Sequence, residues 1–263
     1  PAGGLNPLCR RQGNYLGKQA IYQMREKRNL NDALFVHATS ERERGELRKL
    51  LPHQRIEIVP HGTVIPPEGE APYARDVFFR KFPMFEGRRI ILFLSRLAWK
   101  KRLDLLIEAF ARERETHKDI ALAIAGPDAG YQHKAEALVR KKKLTKHVFF
   151  LGFLTGILKE GAFSAAHLLA LPSADENFGL VVIEGMAHGL PVLVSEGVDS
   201  HVYVKRAHAG AIVKPTARSV QAGLEKMLTR DLKKHGANGR QFAKAHLSWD
   251  RIAKRLDTLY ERR

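Results

Sequence analysis

The sequence is poor in cysteine and has no long apolar run, and each shortage excludes a class of protein. Its 263 residues include one cysteine, Cys9, which excludes an internal disulfide and a cysteine-rich zinc site and indicates a reducing compartment. No apolar run approaches the roughly 18 to 20 residues that a helix needs to cross a bilayer. We therefore predict a cytoplasmic protein.

Several common cofactor and metal motifs are also missing. The 12 histidines form no H-E-x-x-H pattern, which disfavours a zinc hydrolase. No G-x-G-x-x-G opens a helix, which disfavours a nucleotide-binding oxidoreductase. No D-x-D cation site accompanies the acidic motif described below. The sequence predicts neither a bound metal nor a cofactor.

The unusual bulk property is a formal net charge of +17. Such an excess favours acidic partners, namely a phosphorylated substrate, an anionic membrane surface or nucleic acid. The densest run, Arg-Lys-Lys-Lys at 140–143, is interpreted as the solvated end of a helix. Nucleic-acid modules usually interleave exposed aromatic residues with such charge, and we find no such pattern. We predict no nucleic-acid partner, and we expect peripheral association with the inner face of a membrane.

Short apolar segments alternate with amphipathic ones along the chain. The predicted strands are 33–38, 55–59, 89–95, 120–126, 147–152, 167–172, 191–195 and 210–213. The predicted helices are 40–50, 102–114, 132–143, 156–165, 179–188 and 216–228. Continuous apolar strands separated by helices are typical of a parallel sheet covered on both faces. We predict a doubly wound, Rossmann-like α/β fold.

A proline-rich stretch divides this pattern. Residues 60–89 contain five prolines and three glycines, and we interpret residues 65–87 as a linker with one short helix. Residues 88–247 hold six strands, enough for a complete domain, and residues 248–263 form a closing helix. Residues 1–64 hold two strands, which cannot cover a sheet, so we expect them to be the end of a larger upstream domain.

The most informative segment is residues 173–195, SADENFGLVVIEGMAHGLPVLVS. Glu176 precedes an Asn-Phe-Gly turn, and Glu184 falls in the second turn of the helix that follows. The N–H groups at such a helix start attract an anion. Glu184 lies among apolar residues and needs a partner, either a ribose diol or a salt bridge to a lysine or arginine. Glu176 either caps the helix or contacts a sugar ring.

A basic loop follows the predicted strand 89–95. It carries Arg96 and Lys101 at the edge where open α/β sheets bind their ligands. A guanidinium and an ammonium can both bind one diphosphate. The alternative is that this is a basic loop of a strongly basic protein and binds no ligand. Sugar nucleotides combine hydroxyls with a diphosphate, so the two segments together favour that class of ligand.

These segments resemble the retaining glycosyltransferases of the group-1 (family 4) class, which have the GT-B fold. The E-x(7)-E frame of that class is matched by Pro172-Ser173, Glu176, Phe178-Gly179, Glu184, Ala187, Gly189 and Pro191-Val192. Its basic segment is matched by Arg96-Leu97 and Lys101. The resemblance extends over most of the chain from about residue 33. Ser95 and Arg102 replace two family glycines, and Arg102 could add a third cation to the phosphate site.

The resemblance implies roles for these positions. Arg96 and Lys101 would bind the donor diphosphate, Glu184 the ribose and Glu176 the transferred sugar. The amides of Phe178, Gly179 and Leu180 would contact the transferred sugar and its phosphate, and Gly152, Phe153 and Leu154 would bracket the base, mostly through backbone. The further donor-binding candidates are Asn177, His61, which could approach the diphosphate, and Gly62. Residues 88–247 would then be the nucleotide-sugar-binding domain, and residues 1–64 the end of the acceptor domain.

We therefore expect a hexosyltransferase that uses a UDP- or GDP-sugar and a glycan or lipid-linked acceptor, without a metal. Retention of the anomeric configuration in this class is usually explained by attack of the acceptor hydroxyl on the face of the sugar that the diphosphate leaves. Glu176 would then position the sugar rather than act as the nucleophile. Two alternatives stay open. One is a basic nucleic-acid- or membrane-binding Rossmann module without catalysis. The other is a retaining glycoside hydrolase with Glu176 and Glu184 as its carboxylate pair, which leaves the basic loop without a purpose.

Overall fold

The structure, a computed structural model, describes residues 27–67, 70–229 and 231–261. These residues divide into two units. One takes in the described residues up to Gly62 and those from Leu247 onward, and the other is Thr63–His246. Cys9 lies outside the described residues. None of the helices described is long and apolar enough to cross a membrane.

The described part of the chain contains eight strands and eleven α-helices. The strands are β1 (Val36–Ala38), β2 (Ile56–Ile58), β3 (Arg89–Leu94), β4 (Ile120–Ala125), β5 (Val148–Gly152), β6 (Leu168–Leu171), β7 (Val192–Ser195) and β8 (Gly210–Val213). The helices are α1 (Lys27–Asn31), α2 (Glu41–Leu50), α3 (Ala71–Lys81), α4 (Leu103–Thr116), α5 (Gln132–Lys141), α6 (Gly156–Ala165), α7 (Leu180–Ala187), α8 (His201–Ala207), α9 (Ala217–Leu228), α10 (Lys233–His246) and α11 (Trp249–Glu261). Two 3-10 turns, Pro83–Phe85 and Trp99–Lys101, flank β3.

The larger unit is built on a six-stranded parallel sheet in the order β5-β4-β3-β6-β7-β8. Its strands are continuous apolar runs because helices cover both faces, and every residue of β4 is buried. In the centre, Leu92 of β3 lies between Ala123 of β4 and Leu169 of β6. The predicted doubly wound α/β fold is confirmed, and each predicted strand is present.

The segment interpreted as a linker is part of the larger unit. Phe78 of α3 and Phe85 of the following turn are fully buried in the core of this unit. Helix α3 approaches α6 closely, since a Cβ on Gly161 would lie 2.3 Å from the carbonyl oxygen of Ala74. The unit therefore begins at Thr63 rather than near residue 88, because the aromatic residues of this short helix complete the core.

The smaller unit contains a two-stranded parallel sheet, β1 and β2. Ser40 caps α2, since its Oγ accepts a hydrogen bond of 3.0 Å from the Glu43 backbone N–H. The Glu43 carboxylate in turn accepts from the backbone N–H and the hydroxyl of Thr39. Phe35 and Val59 pack with Ile252 and Leu259 of α11, so the closing helix belongs to this unit.

Candidate active site

The candidate site lies where the strand order of the large sheet reverses. Strands β4 and β5 extend the sheet on one side of β3, whereas β6, β7 and β8 extend it on the other. At such a reversal the loops after the two central strands leave a crevice at the carboxyl edge. The loop after β3 carries Arg96 and Lys101, and the loop after β6 carries Glu176 and the turn into α7.

Lys101 joins these two loops. Its Nζ forms an ion pair with Glu176 Oε2, although the lysine side chain is only 4% exposed. Burial is the largest cause that lowers the pKa of Lys101 to about 8, and the charges of Lys100 and Arg96 lower it further, while Asp175 raises it. A buried ammonium that faces two more cations is stabilised strongly by a bound anion.

The turn before α7 is held by the loop that follows β7. The Glu176 backbone N–H donates to the Gly197 carbonyl oxygen at 2.8 Å, and the Ser200 backbone N–H donates to the Phe178 carbonyl oxygen at 3.1 Å. A Cβ on Gly197 would lie 2.5 Å from the Ser173 carbonyl oxygen. The sequence interpretation missed residues 197–200, for which the lone glycine was the available signal.

Gly179 sets the start of α7. Its φ of +77° is left-handed, a conformation that glycine adopts without strain. A Cβ at this position would lie 2.5 Å from Val198 Cγ1 and 3.4 Å from Glu176 Cγ. Because glycine has no side chain, it supplies no acceptor to the first N–H groups of the helix. The Lys101 ammonium, the Glu176 carboxylate and this helix start therefore form one continuous group.

Arg96 lies in the loop that connects β3 to this group. The preceding Ser95 donates its backbone N–H to the Ala125 carbonyl oxygen at 3.0 Å. Gly126, with a φ of +143°, lets the loop approach, since a Cβ there would lie 1.9 Å from the Ser95 carbonyl oxygen. The Arg96 side chain is exposed and lines a cavity of about 560 Å³ at the carboxyl ends of β3, β4 and β5.

Two of the three residues predicted to bracket a base line the same cavity. Phe153 is 71% exposed, and Leu154 lies beside it. Gly152 ends β5 with a φ of +71° and accepts the Gly126 backbone N–H at 2.8 Å. The structure thus brings the predicted base segment and Arg96 to one cavity.

Glu184 has a cationic partner. Lys159 Nζ lies 2.7 Å from Glu184 Oε1, and each side chain is 28% exposed. The salt bridge that the sequence left open as the alternative is therefore present. Lys159 was missed by the sequence interpretation, and it also lines the cavity of about 560 Å³. Its signal was a lysine in the mainly apolar helix GILKEGAFSA.

The other predicted site residues differ in exposure and in their partners. Phe178 is 4% exposed, so the turn offers its backbone, whereas Leu180 is 46% exposed. The Arg102 guanidinium binds the Asp104 carboxylate at 2.9 Å, so this cation is held by its neighbour rather than added to the phosphate site. Asn177 lies half-buried in the turn before α7.

Among the residues that the structure describes, no group of three or more histidine, cysteine or acidic side chains could hold a metal ion.

His61 and Gly62 belong to the smaller unit. Burial, followed by the charge of His37, lowers the pKa of His61. A Cβ on Gly62 would lie 2.6 Å from the Trp249 ring, so this glycine allows the closing helix to pack. Their predicted roles in donor binding stay predictions.

The chain is similar to known glycosyltransferases. A family model described as "Glycosyl transferases group 1" matches residues 74–246, more than half of the chain. An uncharacterized glycosyltransferase of Methanocaldococcus jannaschii is 30% identical over 189 residues, which cover 70% of this chain and 47% of that protein. The chain spans about half the length of the curated relatives that it matches.

Solved structures are similar over nearly the whole chain. Sucrose-phosphate synthase from Thermosynechococcus elongatus superposes with a TM-score of 0.78 at 25% identity, covering 99% of this chain and 65% of that one. Anabaena HepE, in a complex with UDP-glucose, superposes with a TM-score of 0.71 at 21% identity, covering 87% of this chain and 65% of that one.

Proposed function

Since the chain belongs to the group 1 glycosyl transferases, we propose that its unit Thr63–His246 binds the nucleotide-sugar donor of a retaining glycosyltransferase. The enzyme would move the sugar from a UDP- or GDP-sugar to a glycan or lipid-linked acceptor. The observation that carries this proposal is the meeting of Lys101, Glu176 and the start of α7 where the strand order reverses. The UDP-glucose complex of the Anabaena neighbour supports a UDP-sugar as the donor class.

The two parts of the site match the two parts of such a donor. The cavity of about 560 Å³ beside Phe153 has the size of a small-molecule site and suits the nucleoside. The exposed Arg96, the buried Lys101 and the first N–H groups of α7 suit the diphosphate, because all three carry positive charge or partial charge. Glu176, which is paired with Lys101, would contact the transferred sugar.

The same groups support a mechanism. As the bond from the anomeric carbon to the diphosphate oxygen breaks, its electron pair leaves with the diphosphate and positive charge develops on the sugar ring. Arg96, Lys101 and the helix start would stabilise the growing negative charge. The acceptor hydroxyl would form the new bond on the same face, and its proton would pass to the departing phosphate oxygen. Glu176, in its ion pair with Lys101, would position the sugar.

Calorimetric titration with UDP and GDP tests the donor site. We expect micromolar binding that Lys101→Ala or Glu184→Ala weakens about tenfold or more, since each removes a hydrogen bond to a charged group. Lys134→Ala, an exposed lysine on α5, is the matched control and should leave the affinity unchanged. Unaltered affinity in both site variants would remove the assignment. We further propose that no metal takes part, so EDTA should leave UDP binding and transfer unchanged.

The hydrolase alternative is less consistent with the geometry. A retaining glycosidase needs one carboxylic acid that donates a proton and one carboxylate nucleophile. Here Glu176 and Glu184 each form an ion pair with a different lysine, and this alternative also leaves the exposed Arg96 of the neighbouring cavity without a role. Release of nitrophenol from nitrophenyl glycosides that depends on both glutamates would revive this alternative.

The net charge of +17 supports a second element of the proposal, peripheral association with anionic membranes. A lipid-linked acceptor would be met at such a surface. We expect co-sedimentation with vesicles that contain phosphatidylserine, and release as salt rises from low to physiological strength. Co-sedimentation that ignores salt, or equal binding to neutral vesicles, would contradict an electrostatic association.

A further inference from the structure

Lys159 links the candidate ribose carboxylate to the cavity. Its Nζ lies 2.7 Å from Glu184 Oε1, while its side chain lines the cavity of about 560 Å³ together with Arg96 and Phe153. Glu184 itself comes from a different helix, α7. One side chain of α6 therefore reaches from the wall of the cavity to the carboxylate that the proposed function assigns to the donor ribose.

Two contacts define the position of the Lys159 ammonium. One is the ion pair with Glu184, and the other is the ring of Phe163, whose centroid lies 5.8 Å from Nζ. Phe163 is 1% exposed and stacks on His188 at a centroid distance of 4.5 Å, so the ring is itself fixed. An ammonium over a fixed aromatic face gains cation–π attraction in addition to the ion pair. Lys159 is thus held in one place rather than free on the surface.

This arrangement leaves acceptor capacity on Glu184. A carboxylate has about four lone-pair positions, and the lysine contacts Oε1. Two vicinal hydroxyls of a ribose need two acceptor positions, which the other lone pairs supply. The ammonium also offsets the negative charge of Glu184, which would otherwise repel the nearby diphosphate of the same ligand.

We propose, resting on the proposed function, that Lys159 determines the specificity of the site for a ribose ring. It would hold the Glu184 carboxylate in the orientation that accepts the 2′- and 3′-hydroxyls of the donor nucleotide. The preference for a ribonucleotide over its 2′-deoxy analogue would then depend on Lys159 as well as on Glu184. Lys159 acts through Glu184 and is a positioning residue.

The chain offers a matched control on the same two helices. Glu160, the next residue of α6, lies 2.6 Å through Oε2 from Nε2 of His188, the residue that caps the C-terminus of α7. This second pair also connects α6 to α7, but His188 lines a different cavity, with Pro66 and Arg240. The Glu160→Gln variant therefore tests the effect of a lost connection between the helices while it keeps the ion pair of Lys159 with Glu184. Because His188 Nδ1 also lies 2.8 Å from the Glu184 carbonyl oxygen, the variant reports on the backbone of Glu184 as well.

The experiment is calorimetric titration of the full chain with UDP and 2′-deoxy-UDP, and with GDP and 2′-deoxy-GDP. The proteins are the wild type, Lys159→Met, Lys159→Arg and Glu160→Gln. We expect the wild type to prefer its ribonucleotide about tenfold or more, since a hydrogen bond to a charged acceptor is lost in the deoxy analogue. Lys159→Met should reduce this preference to about threefold or less, whereas Lys159→Arg and Glu160→Gln should retain it.

Each other outcome overturns the proposal in a distinguishable way. If Lys159→Met keeps the full ribose preference, Lys159 has no part in it, while donor binding by the wild type still stands. If Glu160→Gln loses the preference as well, the cause is helix packing rather than the carboxylate. If the wild type binds neither UDP nor GDP, the proposed function falls and this inference falls with it. Should Lys159→Met unfold, Lys159→Gln provides the same comparison.

Discussion

Replacing Lys101 by methionine should stabilise the ligand-free protein and weaken diphosphate binding. The Lys101 side chain is 4% exposed, and burial lowers its pKa from 10.5 to about 8. A pKa difference of about 2.5 corresponds to about 3 kcal/mol that opposes the charged form in the folded state. Methionine has a similar length and no charge, so the substitution removes this cost.

The net gain should be smaller than that cost. Glu176 loses its cation, but its carboxylate is 23% exposed and can be hydrated, so we assign about 1 kcal/mol to the lost pair. The free energy of unfolding at pH 7 should therefore rise by about 2 kcal/mol. If Lys101 binds the diphosphate as proposed, binding of UDP should weaken about 30-fold, because a charge-assisted contact is lost.

The stability difference between the wild type and Lys101→Met should depend on pH. Below pH 8 Lys101 is protonated in both the folded and the unfolded chain, and its cost is fully present. Between pH 8 and 10.5 the folded chain releases the proton that the unfolded chain still holds, so the wild type gains stability relative to Lys101→Met. Since this gain of about 3 kcal/mol exceeds the net advantage of about 2 kcal/mol, the advantage of the variant should shrink over this window and be lost before its upper end.

Urea unfolding at several pH values, with Lys134→Met as the exposed control, measures these quantities. The control should match the wild type in stability and in UDP affinity. A Lys101→Met variant that is less stable than the wild type at pH 7 would refute the reasoning. So would a stability difference that stays constant from pH 7 to 10.5.

Three further substitutions test other parts of the structure. Gly179→Ala should lower UDP affinity and reduce the free energy of unfolding by about 1–2 kcal/mol or more. The left-handed φ disfavours a Cβ, and the added Cβ would lie 2.5 Å from Val198 Cγ1. Titration measures the affinity and urea unfolding the stability. Phe78→Ala should cost about 3–5 kcal/mol in urea unfolding, since the ring is fully buried, and a cost below 1 kcal/mol would mean that α3 is a linker after all. Arg102→Gly should leave UDP affinity unchanged within about twofold by titration, because Arg102 is paired with Asp104. The free energy of unfolding should change by no more than about 1 kcal/mol, because relief of the left-handed φ of Arg102 offsets the lost pair.

The strands of the large sheet were predictable because a strand that is buried on both faces is a continuous run of apolar residues in the sequence. Strand β4 is IALAIA, and all six of its residues are buried. Helix α10 was not predicted, because Gly236 and Gly239 lower its helix propensity. In the structure a Cβ on Gly236 would lie 2.0 Å from the Gly189 carbonyl oxygen, so tertiary packing overrides propensity there.

The candidate site was predictable only where its residues lie close together in sequence. The E-x(7)-E spacing is visible within one short segment that contains Glu176, Gly179 and Glu184. The partner of Glu184 is Lys159, 25 residues away on another helix, and no local pattern indicates which lysine reaches the carboxylate. The ion pair of Lys101 with Glu176 likewise depends on the adjacency of β3 and β6 in the sheet, which only the strand order provides.

The ion pair between Lys101 and Glu176 has a consequence for product release. Under the proposed function, a nucleoside diphosphate would have to leave a buried ammonium after the transfer, and that separation would be costly if the ammonium had no other partner. The Glu176 carboxylate is such a partner. Glu176 would thus keep the Lys101 ammonium paired while the diphosphate leaves, so that release would not strand a buried charge.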